Sequence, residues 1–148
     1  MNKISSVVSL SFLIILLLVS PVIGSSDWVE YGRDIGGTVW SYNKVNIEKD
    51  GGMHIVQVWE KIVFSDKGRE NIIQDRTKNG YSTEGWDKLS EGKGLFEIDC
   101  NKQRIRMLSV HQYDTDGNVL FSYSDDNPEW DYIPPNTLVD TSRKKVCE

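Results

Sequence analysis

Cys100 and Cys147 are the only cysteines in this chain of 148 residues, and a segment with the marks of an export signal precedes both. Thiols delivered in even number to an oxidising compartment pair, so one disulfide is expected. It would tie a strand at residues 95–100 to a short amphipathic segment at residues 138–147. Closing a loop of about 47 residues contributes roughly 4 kcal/mol in the chain-entropy model. A staple of that size decides how a small β-rich domain holds a helix that would not form alone.

The export reading rests on three features. Lys3 makes a positive start, an apolar run extends from Val7 to Val19, and Ser20-Pro21 leads to the small residue Gly24. The run falls short of the roughly 20 residues that span a bilayer, and no basic cluster follows it. Residues 1–24 are therefore expected to be a cleaved secretory signal peptide, and residues 25–148 a single domain. No cysteine lies near the cleavage point, so a lipid-modified N-terminus is not expected. The protein should be periplasmic or secreted, with no membrane span after cleavage.

Without Lys3, 16 basic residues face 22 acidic ones. Such a chain repels nucleic acid and anionic lipid, and neither is an expected partner. Lys102, Arg104 and Arg106 are close in sequence, but the two arginines alternate and read as one solvated sheet face.

Alternating β-branched and aromatic residues run through the chain, broken by turn residues. Strands are expected at 28–31 and 38–42 around Gly36-Gly37, and at 45–49, ended by Asp50-Gly51-Gly52. The longest, at 54–64, is apolar on both faces and reads as a central strand covered on each side. Residues 65–94 are polar and rich in glycine. A short helix near Trp86–Leu89, and a strand or helical turn at 69–75, are all the pattern supports there. Beyond Gly94 an antiparallel meander follows. Phe96, Ile98 and Cys100 share a face, Asn101-Lys102 turns, and residues 104–113 return with Leu108 and Val110 on one face and Ile105 and Met107 on the other. Asp114-Thr115-Asp116-Gly117-Asn118 makes a second hairpin loop before Val119, Phe121 and Tyr123. Pro134-Pro135 ends the sheet. Asn136 or Thr137 then caps a helix carrying Leu138, Ser142 and Val146 at four-residue spacing, with Arg143, Lys144 and Lys145 in its last turn. The fold class is α+β: an antiparallel meander of about six strands, with a C-terminal α-helix packed on the sheet and tethered by the disulfide.

Candidate chemistry is thin. Alternate oxygen ligands in the Asp114–Asn118 loop suit calcium, but an EF-hand wants glycine sixth and glutamate twelfth, where Val119 and Asp125 stand; Asp116-Gly117 reads first as a hairpin turn. His54 and His111 each lie in a strand with no ligand or nucleophile at working distance in sequence. Gly92-Lys93-Gly94 leads into a strand rather than a helix, so it reads as a connector and not a phosphate loop. Asp125 and Asp126 adjoin a turn at Asn127-Pro128, without the contrasting environments that acid–base catalysis requires. No catalytic residue, metal site or cofactor is expected. Trp28, Trp40, Trp59, Trp86 and Trp130 are many for one domain; most are expected in the core, with one or two exposed as interface anchors. Which ones serve is not legible.

Five segments then follow in order: Leu95-Phe96-Glu97-Ile98-Asp99-Cys100, Arg104-Ile105-Arg106-Met107-Leu108-Ser109, Tyr113-Asp114-x-Asp116-Gly117-x-Val119-Leu120, Glu129-Trp130-x-x-Ile133-Pro134 and Val146-Cys147. Together they resemble the surface-adhesin protein E-like family of bacterial envelope proteins. The likeness extends less specifically to Trp28, Val39-Trp40-Ser41-Tyr42 and Val56-Gln57-Val58-Trp59. It implies a sheet with a tethered C-terminal helix, a homodimer through the sheet, and binding of host matrix and serum proteins from the cell surface. The leading expectation is a non-enzymatic, adhesin-like domain acting on an unknown protein partner. Two other readings stand beside it. One is a periplasmic inhibitor or stress-response factor, capping a basic target such as a lysozyme. The other is a structural part of an envelope assembly.

Overall fold

The structure, a computed structural model, describes residues 27–43, 48–49 and 54–148. The export segment, strand residues 45–47 and the Asp50-Gly51-Gly52 turn lie outside them. The strands are β1 (Trp28–Arg33), β2 (Val39–Asn43), β3 (Glu48–Lys49), β4 (Ile55–Val63), β5 (Leu89–Asp99), β6 (Arg104–Asp114), β7 (Val119–Ser124) and β8 (Asp131–Tyr132). The helices are α1 (Asp66–Lys78) and α2 (Leu138–Cys147), with a single 3-10 turn at Trp86–Lys88. All strand pairs are antiparallel, in the order β1-β2-β4-β5-β6-β7, with β3 added to β4 and β8 to β6.

Register sorts the side chains, because residues directly opposite in an antiparallel pair share a face. Tyr42, Val56, Val58, Glu60, Phe96, Ile98, Ile105 and Met107 fall on one side. Val56, Val58 and Ile98 are buried there with Ile133 and Val146, and Tyr42, Phe96, Cys100, Val139 and Cys147 pack around them. Cys100 and Cys147 are joined, with Cα atoms 5.8 Å apart, which ties the C-terminal end of α2 to the end of β5. Thr137 caps α2 by accepting the Asp140 N–H at 3.1 Å. Arg143 and Lys144 both reach Asp140, at 2.8 Å. They therefore serve an ion-pair cluster at the helix start as well as the dipole. Ser142 and Val146 are buried and Leu138 rests on Gly32. The disulfide is thus one of several things that hold α2 down.

The illegible stretch resolves into α1, the 3-10 turn and six residues of strand ahead of Leu95. Ser65 caps α1 by accepting the Gly68 N–H at 3.0 Å. Only Ile72 and Ile73 are large apolar residues in this helix, so its periodicity is faint. Polar anchors hold it instead: Arg69 donates to the Leu89 carbonyl at 3.1 Å, and the Arg76 guanidinium lies 3.7 Å from the centre of the Trp86 ring. Gly92-Lys93-Gly94 is no connector but the middle of β5, paired with β4 and β6 on either side. The missing side chains leave room for Phe64 at Gly92 and for the Phe96 ring at Gly94.

Two other expectations change. Strict alternation along β6 fails at a bulge: Leu95 faces Ser109 while Phe96 faces Met107, so Leu108 is the extra residue. Ile105, Met107 and Val110 consequently share the helix side. β4 is central in the order, but helices cover only one of its faces. α2 lies over Glu60 and Val58, and α1 lies over Trp40 and Ile62, with a cleft of about 240 Å³ between α1 and the sheet. On the other face Gln57, Trp59 and Lys61 are half-buried by same-face neighbours and by no described helix.

The seat of α1 yields a test. A Cβ added at Gly68 would stand 2.2 Å from the Thr38 hydroxyl oxygen, which itself contacts Ser65 Oγ at 3.3 Å. Alanine for glycine inside a helix ordinarily stabilises by about 1 kcal/mol. Here Gly68→Ala is expected to destabilise by about 2 kcal/mol through overpacking, read as a lowered midpoint in urea. A stabilised variant would show that α1 does not sit against Thr38.

Candidate functional site

The face that both helices leave open collects most of the charged side chains of the strands, together with Trp28, Trp59, Tyr113 and Tyr132. Register places Ile55, Asp99, Arg104 and Tyr132 in one row, and Gln57, Glu97 and Arg106 in the next. Trp59, Leu95, Ser109 and Ser124 form a third row, and Ser41, Lys61, Lys93, His111 and Ser122 a fourth. A fifth holds Val39, Val63, Glu91, Tyr113 and Val119.

At the first two rows Arg104 pairs with Asp99 at 3.0 Å and Arg106 with Glu97 at 2.6 Å. Both guanidiniums stack on Trp130, 5.0 and 4.6 Å from its ring centre. Burial pushes the Asp99 carboxyl upward, but the Lys102 N–H and Arg104 outweigh it and hold the group below the usual range. The two arginines share one sheet face as expected, but they are half-buried and fixed rather than solvated and free. A guanidinium held by a carboxylate and a ring keeps a defined direction, which lowers the ordering cost of binding. Alongside lies a depression of about 370 Å³ bordered by Glu97, Arg106, Ser109, Ser124, Asp125 and Asp126.

The tryptophans overturn the expectation that most would be core. Trp86 alone of the five is buried, at 4% exposure; Trp28, Trp40, Trp59 and Trp130 are half-buried. Trp28 takes the Lys61 ammonium at 4.9 Å. Trp28, Trp59 and Trp130 all stand on the open face. A β-rich sequence conceals this, because tryptophan in a strand is equally at home inward or outward until the register is known.

The other candidates are dispersed. Asp114 accepts N–H bonds from Asp116 and Asn118 and one from the Asn118 amide, at 2.8–2.9 Å, so its carboxylate closes the hairpin loop. Those donors, the Asn118 side chain first, hold it below the ordinary carboxylate range. The acidic loops at Asp114 and Asp125 sit at opposite ends of β7, about 20 Å apart along a six-residue strand, and do not converge. Asp125 accepts from Tyr123 and from the Asn127 N–H. His54 is exposed with φ 57°, and its carbonyl accepts the Cys100 N–H. His111 meets Ser122 Oγ at 2.9 Å.

One polar cluster had no sequence signal. Glu60, 5% exposed, accepts from the Tyr31 hydroxyl at 2.9 Å and from Ser142 Oγ beneath α2. Burial first raises the Glu60 carboxyl, and the two donors offset only part of that. Burial and then the Glu60 charge push Tyr31 above the ordinary phenol range. Ser142 is fully buried, so this cluster locks α2 to the sheet and offers no surface to a substrate.

A family model described as surface-adhesin protein E matches residues 28–148. The chain belongs to that family. The match begins at β1 and includes every strand, both helices and both cysteines. Among solved structures, the selenomethionine form of Haemophilus influenzae protein E aligns with a TM-score of 0.52 at 10% identity, over 88% of this chain and 92% of that one. Another H. influenzae protein E structure gives 0.49 at 10% identity, over 88% and 90%. Protein E from non-typeable H. influenzae gives 0.47 at 9%, over 86% and 79%. Likeness at this identity shows a shared fold. No curated protein sequence matches the chain.

Proposed function

We propose that this family member is an exported, non-enzymatic adhesin-like protein that binds a host matrix or serum protein through the open sheet face. Residues 1–24 act as its cleaved signal peptide. Membership of the surface-adhesin family supports the adhesive role. Among the described residues no helix is long and apolar enough to cross a membrane. The observation that carries the choice of face is the Arg104–Trp130–Arg106 stack: tryptophan and arginine held in place are what binding hot spots are made of. The comparisons give no support to the inhibitor or assembly roles.

Protein purified after export is expected to bind at least one immobilised matrix or serum protein. Trp130→Ala should weaken that binding by about 30-fold, the scale of a hot-spot residue. Lys145→Ala, an exposed change on α2, should leave it unaltered. Equal binding by the two variants would move the partner elsewhere, and absence of binding by the parent protein would remove the adhesive reading.

A further inference from the structure

The fourth row of the open face contains an arrangement that folding does not favour. Lys61 on β4 stands directly opposite Lys93 on β5, and His111 on β6 follows at the next step. Facing side chains in such pairs have Cβ atoms about 4.5–5.5 Å apart, and like charges there repel. The chain carries an excess of acidic residues, yet Lys61 has no carboxylate partner among the described residues. Its ammonium rests on Trp28 instead. Lys93 lies 5.3 Å from the Tyr113 ring centre and bridges Glu91 at 2.7 Å. A ring face orients a cation without cancelling its charge, so the Lys61 ammonium is directed but uncompensated, while Lys93 shares its charge with Glu91. Ser122 occupies Nδ1 of His111.

We propose that the Lys61–Lys93–His111 row binds the sulfate or carboxylate group of an acidic glycan. This deepens, and rests on, the assignment of the open face as the binding face. Two strand spacings of about 4.8 Å give the row a length near 10 Å, the scale of two sugar residues. Trp28 and Tyr113 flank it as ring platforms, and Ser122 adds a hydroxyl. Glu91, beside Lys93 on the same strand, and Glu30, opposite Ser41, limit the row to one anionic group at a time.

The experiment is isothermal titration of the exported protein with a heparin tetrasaccharide, its desulfated form bearing carboxylates alone, sodium sulfate, and a short polyglutamate peptide. Binding of either saccharide is expected, falling by about 30-fold in Lys61→Ser/Lys93→Ser, since each lysine makes a charged hydrogen bond. The Lys61→Arg/Lys93→Arg protein should retain it. Sulfated and desulfated saccharides separate the two sources of negative charge. Removing the facing cations should leave the thermal midpoint equal or higher, so lost binding will not reflect lost folding. No saccharide binding, unchanged binding in the serine variant, or equal affinity for the peptide or free sulfate would overturn the assignment. If glycan binding fails while matrix-protein binding still depends on Trp130, this inference falls and the proposed function stands. If both fail, the open face is not the binding face.

Discussion

Replacing Cys100 and Cys147 together with alanine is expected to lower the unfolding free energy by about 4 kcal/mol. The loop they close spans 47 residues, and releasing it returns that much conformational freedom to the unfolded chain in the entropy model. Urea denaturation should show a lower midpoint. Amide exchange should show which part of the fold loosens first. The β6–β7 hairpin lies inside the loop but keeps its own ladder. α2 loses its C-terminal attachment, although Val146, Leu138 and the Ser142–Glu60 contact remain. Its amides are therefore expected to exchange by local opening, while those of β4 and β5 remain tied to global unfolding. A loss under about 1 kcal/mol would mean that the reduced chain retains the same closure in its unfolded ensemble. Uniform acceleration of exchange would mean that α2 and the sheet form one cooperative unit.

The meander and the tethered helix were legible because their signals are local. Turn residues at Asn101-Lys102 and at Asp116-Gly117 bound strands with clear alternation, and two cysteines admit one pairing. α1 was not legible: a helix held by Ser65, Arg69 and Arg76 has no apolar stripe to read. The bulge at Leu108 was hidden for another reason. One extra residue reverses which face each following side chain takes, and only the partner strand reveals it. The open face suffered most from this. Arg104-x-Arg106 and Glu97-x-Asp99 are complementary pairs a short turn apart, a signal sufficient to anticipate their bridges. That Trp130 returns from beyond β7 to lie on both arginines depends on β8 pairing with the start of β6, a two-residue contact with no pattern of its own. Lys61 and Lys93 are 32 positions apart, and their opposition exists only once β4 and β5 are in register. Binding surfaces on sheets are properties of pairing, and single-strand periodicity does not contain them.

Glu60 carries the second large expected effect. Glu60→Ala should cost about 3 kcal/mol, because it opens a cavity under α2 and strips the Tyr31 and Ser142 hydroxyls of their shared acceptor. Glu60→Gln keeps the shape and a carbonyl acceptor, and a hydroxyl can rotate to accept from the new amide. It should lie within about 1 kcal/mol of the parent, on the stabilising side at neutral pH. The pH profile separates these effects. Burial raises the Glu60 carboxyl in the folded state above its unfolded value near 4.3, so the folded protein holds the proton more tightly. Its contribution is fully present below that unfolded value and is lost as pH rises through the folded one. Asp140 acts in the opposite sense. Lys144, Arg143 and the Asn136 N–H hold it far below the usual range. Its contribution is present above about pH 3.9 and is lost as pH falls toward the folded value. Stability of the parent protein should therefore decline on both sides of mildly acidic pH. In Glu60→Gln the decline toward neutrality should disappear while the acid limb, set by Asp140, Asp99 and Asp114, remains. Urea midpoints measured from pH 3 to 8 decide the matter. Parallel curves for the two proteins would show that Glu60 does not carry a raised carboxyl, and with it that α2 does not seal the Tyr31–Glu60–Ser142 cluster from water.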